Sequence, residues 1–195
     1  MATYQRVGFG QVEPNHLSAQ RTAQIYAQLP AASDIKILEN GQFVKYDYAN
    51  GECNFTGAGE WMMVFNEVKL YDDFWRESYK DFAMIADNYT PGGNISHYGV
   101  GPFEGQMVPR VIKINVGDHW TTNCLFKANT DGKAVIEETV DGDSLQDLRG
   151  KFMAPNKNTR YLELVDDANG DFVLQVVKVY RMADGQDAVK VMRVK

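Results

Sequence analysis

Six Asn-Gly or Asp-Gly dipeptides punctuate this chain: Asn40-Gly41, Asn50-Gly51, Asp131-Gly132, Asp141-Gly142, Asn169-Gly170 and Asp184-Gly185. Glycine behind Asn or Asp accepts the positive φ that tight hairpin turns require, so each pair marks a place where an extended chain can reverse. The runs between them have strand character. Phe43 to Tyr48 is one, and Trp61 to Lys69 is another. From Val108 to Val116, the set Val111/Lys113/Asn115 alternates with Ile112/Ile114/Val116. Near the carboxy end, Phe172, Leu174 and Val176 alternate with Val173, Gln175 and Val177, and Val189, Val191, Met192 and Val194 follow. Strand-turn-strand units at this density predict a mainly β fold, an antiparallel barrel or sandwich.

Two segments depart from that pattern. In residues 71–86 the positions Tyr71, Phe74, Trp75, Tyr79, Phe82, Ile85 and Ala86 recur mostly at steps of three and four, with charged residues between them. That spacing predicts one amphipathic helix whose aromatic stripe docks on a sheet, with Asp72 or Asp73 at its amino-terminal cap. Residues 88–106 then hold Pro91, Gly92, Gly93, Gly99, Gly101, Pro102 and Gly105. They read as one long Gly/Pro loop, of a length that is either functional or disordered in most domains.

The leading segment, Met1 to Ala32, differs again. Its charged side chains are Arg6, Glu13 and Arg21, beside five glutamines, and its apolar residues follow no single period. The reading is an extended N-terminal arm, residues 1–32, lying on a partner, in front of a β-rich body at residues 33–195. A disordered leader would favour charge and avoid aromatics, whereas Tyr4, Phe9 and Tyr26 occur here.

The chain has 195 residues, within the roughly 100–200 of a single domain, and 44 % apolar residues supply its core without metals or disulfides. The formal charge of −6 argues against general nucleic-acid binding, which needs a Lys/Arg excess on one face. No apolar run approaches the roughly 20 residues of a membrane helix, and the amino terminus lacks the pattern of a secretion signal. The local excess of Lys and Arg after Phe172 is interspersed with valines and reads as the solvent face of a hairpin. Cys53 and Cys124 stand far apart without a CxxC, and read as buried thiols of a reducing cytosol, with a bridge between them left open. His16, His97 and His119 have no metal-like spacing, so neither a metal nor another cofactor is expected.

Catalytic constellations are equally scarce. There is no nucleophile elbow and no phosphate-binding loop, and Gly8-Phe9-Gly10 and Gly99-Val100-Gly101 are bare fragments. Asp166 to Asp171 has oxygens for a hard cation but lacks a closing Glu and coincides with a turn. His119 and Cys124 are five apart, which on a strand puts them on opposite faces, as it does the neighbours Glu137 and Glu138. Trp61, Trp75 and Trp120 could stack on sugars, although filling a sheet core is the commoner use of such residues. These absences point to a non-enzymatic protein with no catalytic residues.

The segment Ser18-Ala-Gln-Arg-Thr-Ala-Gln-Ile-Tyr-Ala-Gln-Leu-Pro30, followed by Leu38-Glu-Asn-Gly-Gln-Phe-Val-Lys-Tyr-Asp-Tyr48, resembles the opening of small structural proteins of tailed-bacteriophage virions. Gly59-Glu-Trp-Met-Met-Val-Phe-Asn-Glu-Val68 and Val108-Pro-Arg-Val-Ile-Lys-Ile-Asn-Val-Gly-Asp-His-Trp-Thr-Thr-Asn123 fit the same likeness, which covers roughly residues 4–70 and 107–126. These are auxiliary capsid components, the head decoration or cement proteins. The resemblance implies a virion protein, made in the host bacterial cytoplasm, whose arm bridges neighbouring capsid subunits. Its partners would be the major capsid protein and further copies of itself, not nucleic acid or membrane. Arg6 and Arg21 would anchor on acidic capsid patches, with Phe9, Leu17 and Tyr26 as apolar contacts. Removing residues 1–32 should then abolish capsid binding and leave the body folded. A different class of function is a host-surface or glycan-binding module of a head fibre or tail, presenting Tyr89, Tyr98 and Phe103 from the long loop.

Overall fold

The computed structural model describes residues 9–19, 29–66, 83–85, 107–125, 148–157, 160–182 and 185–195. Within them the chain forms β1 (Val12–His16), β2 (Ile37–Glu39), β3 (Phe43–Asp47), β4 (Glu52–Asn54), β5 (Trp61–Val64) and β6 (Ala83–Ile85). It continues through β7 (Val111–Lys113), β8 (His119–Thr122), β9 (Phe152–Pro155), β10 (Leu162–Val165), β11 (Leu174–Arg181) and β12 (Asp187–Arg193). Helical backbone among the described residues is confined to positions 18–19 and 148. The fold is mainly β, as the turn pattern requires.

The strands make three sheets, with every pairing between strands antiparallel: β1-β8-β12-β11-β9-β10, β4-β3-β5-β7 and β2-β6. None of them closes on itself, so the expected barrel does not form among the described residues. Gly51 between β3 and β4 and Gly185 between β11 and β12 close hairpins with φ of 69° and 83°, while Gly41, with φ 91°, turns the chain from β2 into β3 of a different sheet. The expectation fails at Asn169-Gly170, which joins β10 to β11: these strands are not neighbours and Gly170 does not take a positive φ.

The four-stranded sheet buries apolar side chains on both faces. Phe43, Trp61, Met63 and Ile112 share one core with Trp120, Met153, Leu174, Val176, Val189 and Val191 of the six-stranded sheet. From the alternate positions, Val44, Tyr46, Cys53, Met62, Val64 and Val111 form a second core with Ile35, Leu38 and Met107. The small sheet stands between two apolar layers, which is why β5 is Trp-Met-Met-Val, without a polar residue. Burial on both faces removes the need for alternation, and each face acquires its own partner layer.

The two large sheets are tied at one point by Arg193, near the end of β12 and buried. Its guanidinium donates to Glu60 Oε1 just before β5 and to the Ile114 carbonyl just after β7, and lies 4.4 Å from the Phe172 ring centroid. Lys113 Nζ adds a second cation 3.2 Å from Glu60 Oε2. The solvent-face expectation for the carboxy-terminal cations therefore fails for Arg193, because its position on β12 faces the junction of the two sheets.

Two further expectations are corrected. Residues 83–85, the end of the expected helix 71–86, form β6 and pair with β2 through Ile37↔Ile85, Leu38↔Met84 and Glu39↔Ala83. A short apolar run fits helix and strand alike, and an available sheet partner decides between them. The rest of that helix, and the loop 88–106, lie outside the described residues. The arm expectation fails for residues 12–19: β1 pairs with β8 through Val12↔Thr122, Glu13↔Thr121, Pro14↔Trp120 and His16↔His119. Leu17 and Ala19 are buried in the first core.

Candidate functional site

The sequence places its candidate interface within residues 1–32, so the geometry of residues 9–19 and 29–32 decides what that interface has to offer. Residues 9–19 are fixed by polar contacts to parts of the chain far away in sequence. Gln11 N–H donates to Asn123 Oδ1 at 2.7 Å, and Thr122 Oγ1 donates to the Gln11 carbonyl at 2.8 Å. Asn123 Nδ2 reaches the Phe9 carbonyl at 3.3 Å and Gln186 Oε1 at 3.1 Å. Past β1, the Ser18 amide and hydroxyl both donate to the Asp118 carboxylate at 2.9 Å. The Asn115 amide donates to the same carboxylate at 2.8 Å. Asp118 is buried, and these donors supply the partners a buried carboxylate requires.

Packing is as restrictive as hydrogen bonding. A Cβ on Gly10 would lie 2.1 Å from the Asn40 carbonyl oxygen and 2.4 Å from Cys124 Sγ. The absence of a side chain lets this segment pass against the β2–β3 turn and Cys124. Residues 29–32 are also held: Ala31 N–H donates to the Met107 carbonyl at 2.7 Å, and Ala32 N–H to the Cys53 carbonyl at 2.9 Å.

Of the expected interface residues, Phe9 is 37 % exposed and can still meet a partner, whereas Leu17 is 2 % exposed and belongs to the core. Leu17 is therefore withdrawn as a contact residue: its side chain serves the fold. Arg6, Arg21 and Tyr26 lie outside the described residues.

The other chemistry-bearing residues are placed as follows. Cys53 and Cys124 are both buried and unbridged. Desolvation pushes the Cys53 thiol up to about 12, which keeps it protonated and unreactive at neutral pH. Cys124 is buried and its Sγ donates to the Asn40 carbonyl at 2.9 Å. Trp120 and Trp61 are core residues, so neither offers a sugar-stacking face. Asp167 is occupied within its own turn, accepting from the Asn169 amide at 3.1 Å and from the Asn169 side chain. No group of three or more His, Cys, Asp or Glu side chains among the described residues is arranged to hold a metal. No described helix is long and apolar enough to cross a membrane. Trp75, His97, Glu137, Glu138 and the loop aromatics Tyr89, Tyr98 and Phe103 lie outside the described residues.

One juxtaposition was illegible in the sequence. His16 and His119 are stacked across β1 and β8, with ring centroids 5.5 Å apart and planes inclined by 25°. Their separation along the chain hides them, and only the β1–β8 register brings them together. No protein-family model, curated protein or solved structure matches the chain.

Proposed function

We propose that this chain is a non-enzymatic structural protein of a phage virion, which binds the assembled head and stabilises it by bridging neighbouring capsid subunits. The observation that carries the reading is the asymmetry of the segment Met1 to Ala32. It is rich in Gln, contains two Arg and one Glu, and contributes none of the negative excess of a chain with net charge −6. Such a segment suits a wet protein interface, where glutamine side chains and backbone pair with a partner, better than it suits the outside of an acidic domain. Attachment of β1 to the body refines the idea. The contacts are assigned to Arg6, Phe9, Arg21 and Tyr26, while residues 12–19 hold the segment to the sheet. Repetition over a symmetric lattice multiplies weak contacts of this kind.

The test is co-sedimentation of the purified protein with phage heads stripped of their auxiliary proteins. The double variant R6A/R21A and the single variant Y26A should each bind at least about tenfold more weakly, with unchanged thermal unfolding. Binding of both at full strength would remove the segment from the interface. Full-strength binding of the same variants to a glycan array, without binding to heads, would favour a host-surface module instead.

A further inference from the structure

The six-stranded sheet turns one face to the first core and the other outward, and one row of the outer face has an unusual composition. In register across β1, β8 and β12 stand His16, His119 and Met192. All three are half-buried, accessible from solvent yet partly shielded by neighbours. Residues directly opposite one another on antiparallel strands share a face with Cβ atoms about 4.5–5.5 Å apart. The row therefore presents two imidazoles and a thioether side by side.

The register depends on a local irregularity. Pro14 pairs with Trp120 and His16 with His119, so Asn15 is an extra residue on β1. Without that bulge Asn15, not His16, would oppose His119. A bulge re-aims a side chain at the expense of regular pairing, and is over-represented beside functional sites. Asn15 is itself held by Thr121 Oγ1, which donates to its Oδ1 at 3.0 Å, and this fixes the bulged residue.

His119 Nδ1 lies 3.3 Å from the Gly117 carbonyl oxygen, which can only accept, so the contact is a hydrogen bond in the tautomer protonated at Nδ1. The Nε2 lone pair is then left for a ligand, the arrangement in which metal-binding imidazoles are commonly oriented by a backbone carbonyl. An ion holding two imidazole nitrogens at about 2.0–2.1 Å needs them roughly 3 Å apart, within reach of side-chain rotation from rings already stacked. Donor chemistry decides the class of ion: imidazole selects late transition metals, and an added thioether favours copper over zinc.

We propose that His16, His119 and Met192 form a copper-binding site on the outer face of the six-stranded sheet, with the two imidazoles as the principal ligands and the Met192 thioether as a third donor to Cu(I). A metal here clips the edge strand β1 to β8 and so stabilises the folded state by mass action.

The test uses the full-length protein. Titration with Cu(II) should show one equivalent bound, with nitrogen hyperfine structure from two imidazoles in the electron paramagnetic resonance spectrum and a raised Tm. H16Q and H119Q should each weaken Cu(II) binding at least about tenfold, while H97Q leaves it unchanged. M192L should leave Cu(II) affinity within about twofold and lower Cu(I) affinity, measured against a chromogenic Cu(I) chelator, by about tenfold. The apo Tm of each variant, within a few degrees of wild type, confirms that it folds. Unchanged Cu(II) binding in the H16Q/H119Q double variant, or equal loss in H97Q, would overturn the site. Unchanged Cu(I) affinity in M192L would overturn the third donor.

Discussion

Gly10 shows how much a single missing side chain determines here. Three groups crowd the space its Cβ would need, and the nearest, the Asn40 carbonyl oxygen at 2.1 Å, is backbone that cannot rotate away. Gly10→Ala must therefore displace either the segment before β1 or the β2–β3 turn. The expected cost is about 2–3 kcal/mol, the upper part of the range for overpacking a filled site. Urea unfolding measures it, and a cost under about 0.5 kcal/mol would show that the segment does not pack as described. Gly10 was legible only as part of a bare GxG fragment, since nothing local indicates what will press on a residue from a distant turn. The turn glycines are the opposite case. Gly41, Gly51 and Gly185 are readable because glycine behind Asn or Asp accepts positive φ at little cost, although Gly170 shows that the dipeptide does not impose it.

At the scale of the element, β1 carries the main revision. As an arm lying on a partner, residues 1–32 would be dispensable to the body. As an edge strand, β1 covers β8 and brings Val12, Leu17 and Ala19 into the first core. Deleting residues 1–19 should therefore destabilise the body by at least about 3 kcal/mol, the scale of losing two buried apolar side chains and a strand's pairing. It should also promote self-association through the uncovered edge of β8. Chemical denaturation and size-exclusion chromatography check both. A monomeric, equally stable truncation would return the segment to the status of an arm. The sequence concealed β1 for a physical reason. Pro14 and the bulge at Asn15 interrupt period-two alternation, and an edge strand facing solvent on one side needs few apolar residues. Its partner, Thr122 for Val12, lies too far along the chain to leave a local signal. β6 is hidden for a related reason, since Ala-Met-Ile commits to strand only when β2 is beside it.

For the whole molecule, one polar contact between the two large sheets, Arg193 with Glu60, links stability to pH. Burial pushes the Glu60 carboxyl up, but hydrogen bonds from Arg193 and Lys113 outweigh it and hold the group below its ordinary value of 4.5. A carboxyl depressed in the folded state contributes stability that is fully present above its unfolded pKa and is lost as pH falls through the folded one. The Glu60 contribution should thus be constant from neutral pH down to about 4.5 and fade below it. E60Q should lower Tm at pH 7, and the difference from wild type should shrink progressively below about pH 4.5. Because Glu60 is itself partly exposed, the loss at pH 7 is expected near 1 kcal/mol. R193M should cost more, about 2–3 kcal/mol, since it also removes a charged donor from the Ile114 carbonyl and a cation from the Phe172 ring. A Tm difference for E60Q that is the same at pH 3 and pH 7 would show that the ion pair is not its source.

The sequence alone determined the class of the fold, because hairpin turns and strand propensity are properties of neighbouring residues. It also separated a polar, low-charge leading segment from an acidic remainder. Tertiary structure alone decided that the leading segment contains an edge strand, that the four-stranded sheet has a core on each face, and that Arg193 is buried. It likewise decided that His16, His119 and Met192 stand in one row. Each of these depends on register between strands distant in the chain, and register is set by which faces bury together, an outcome of the assembled sheets that no local run of residues encodes.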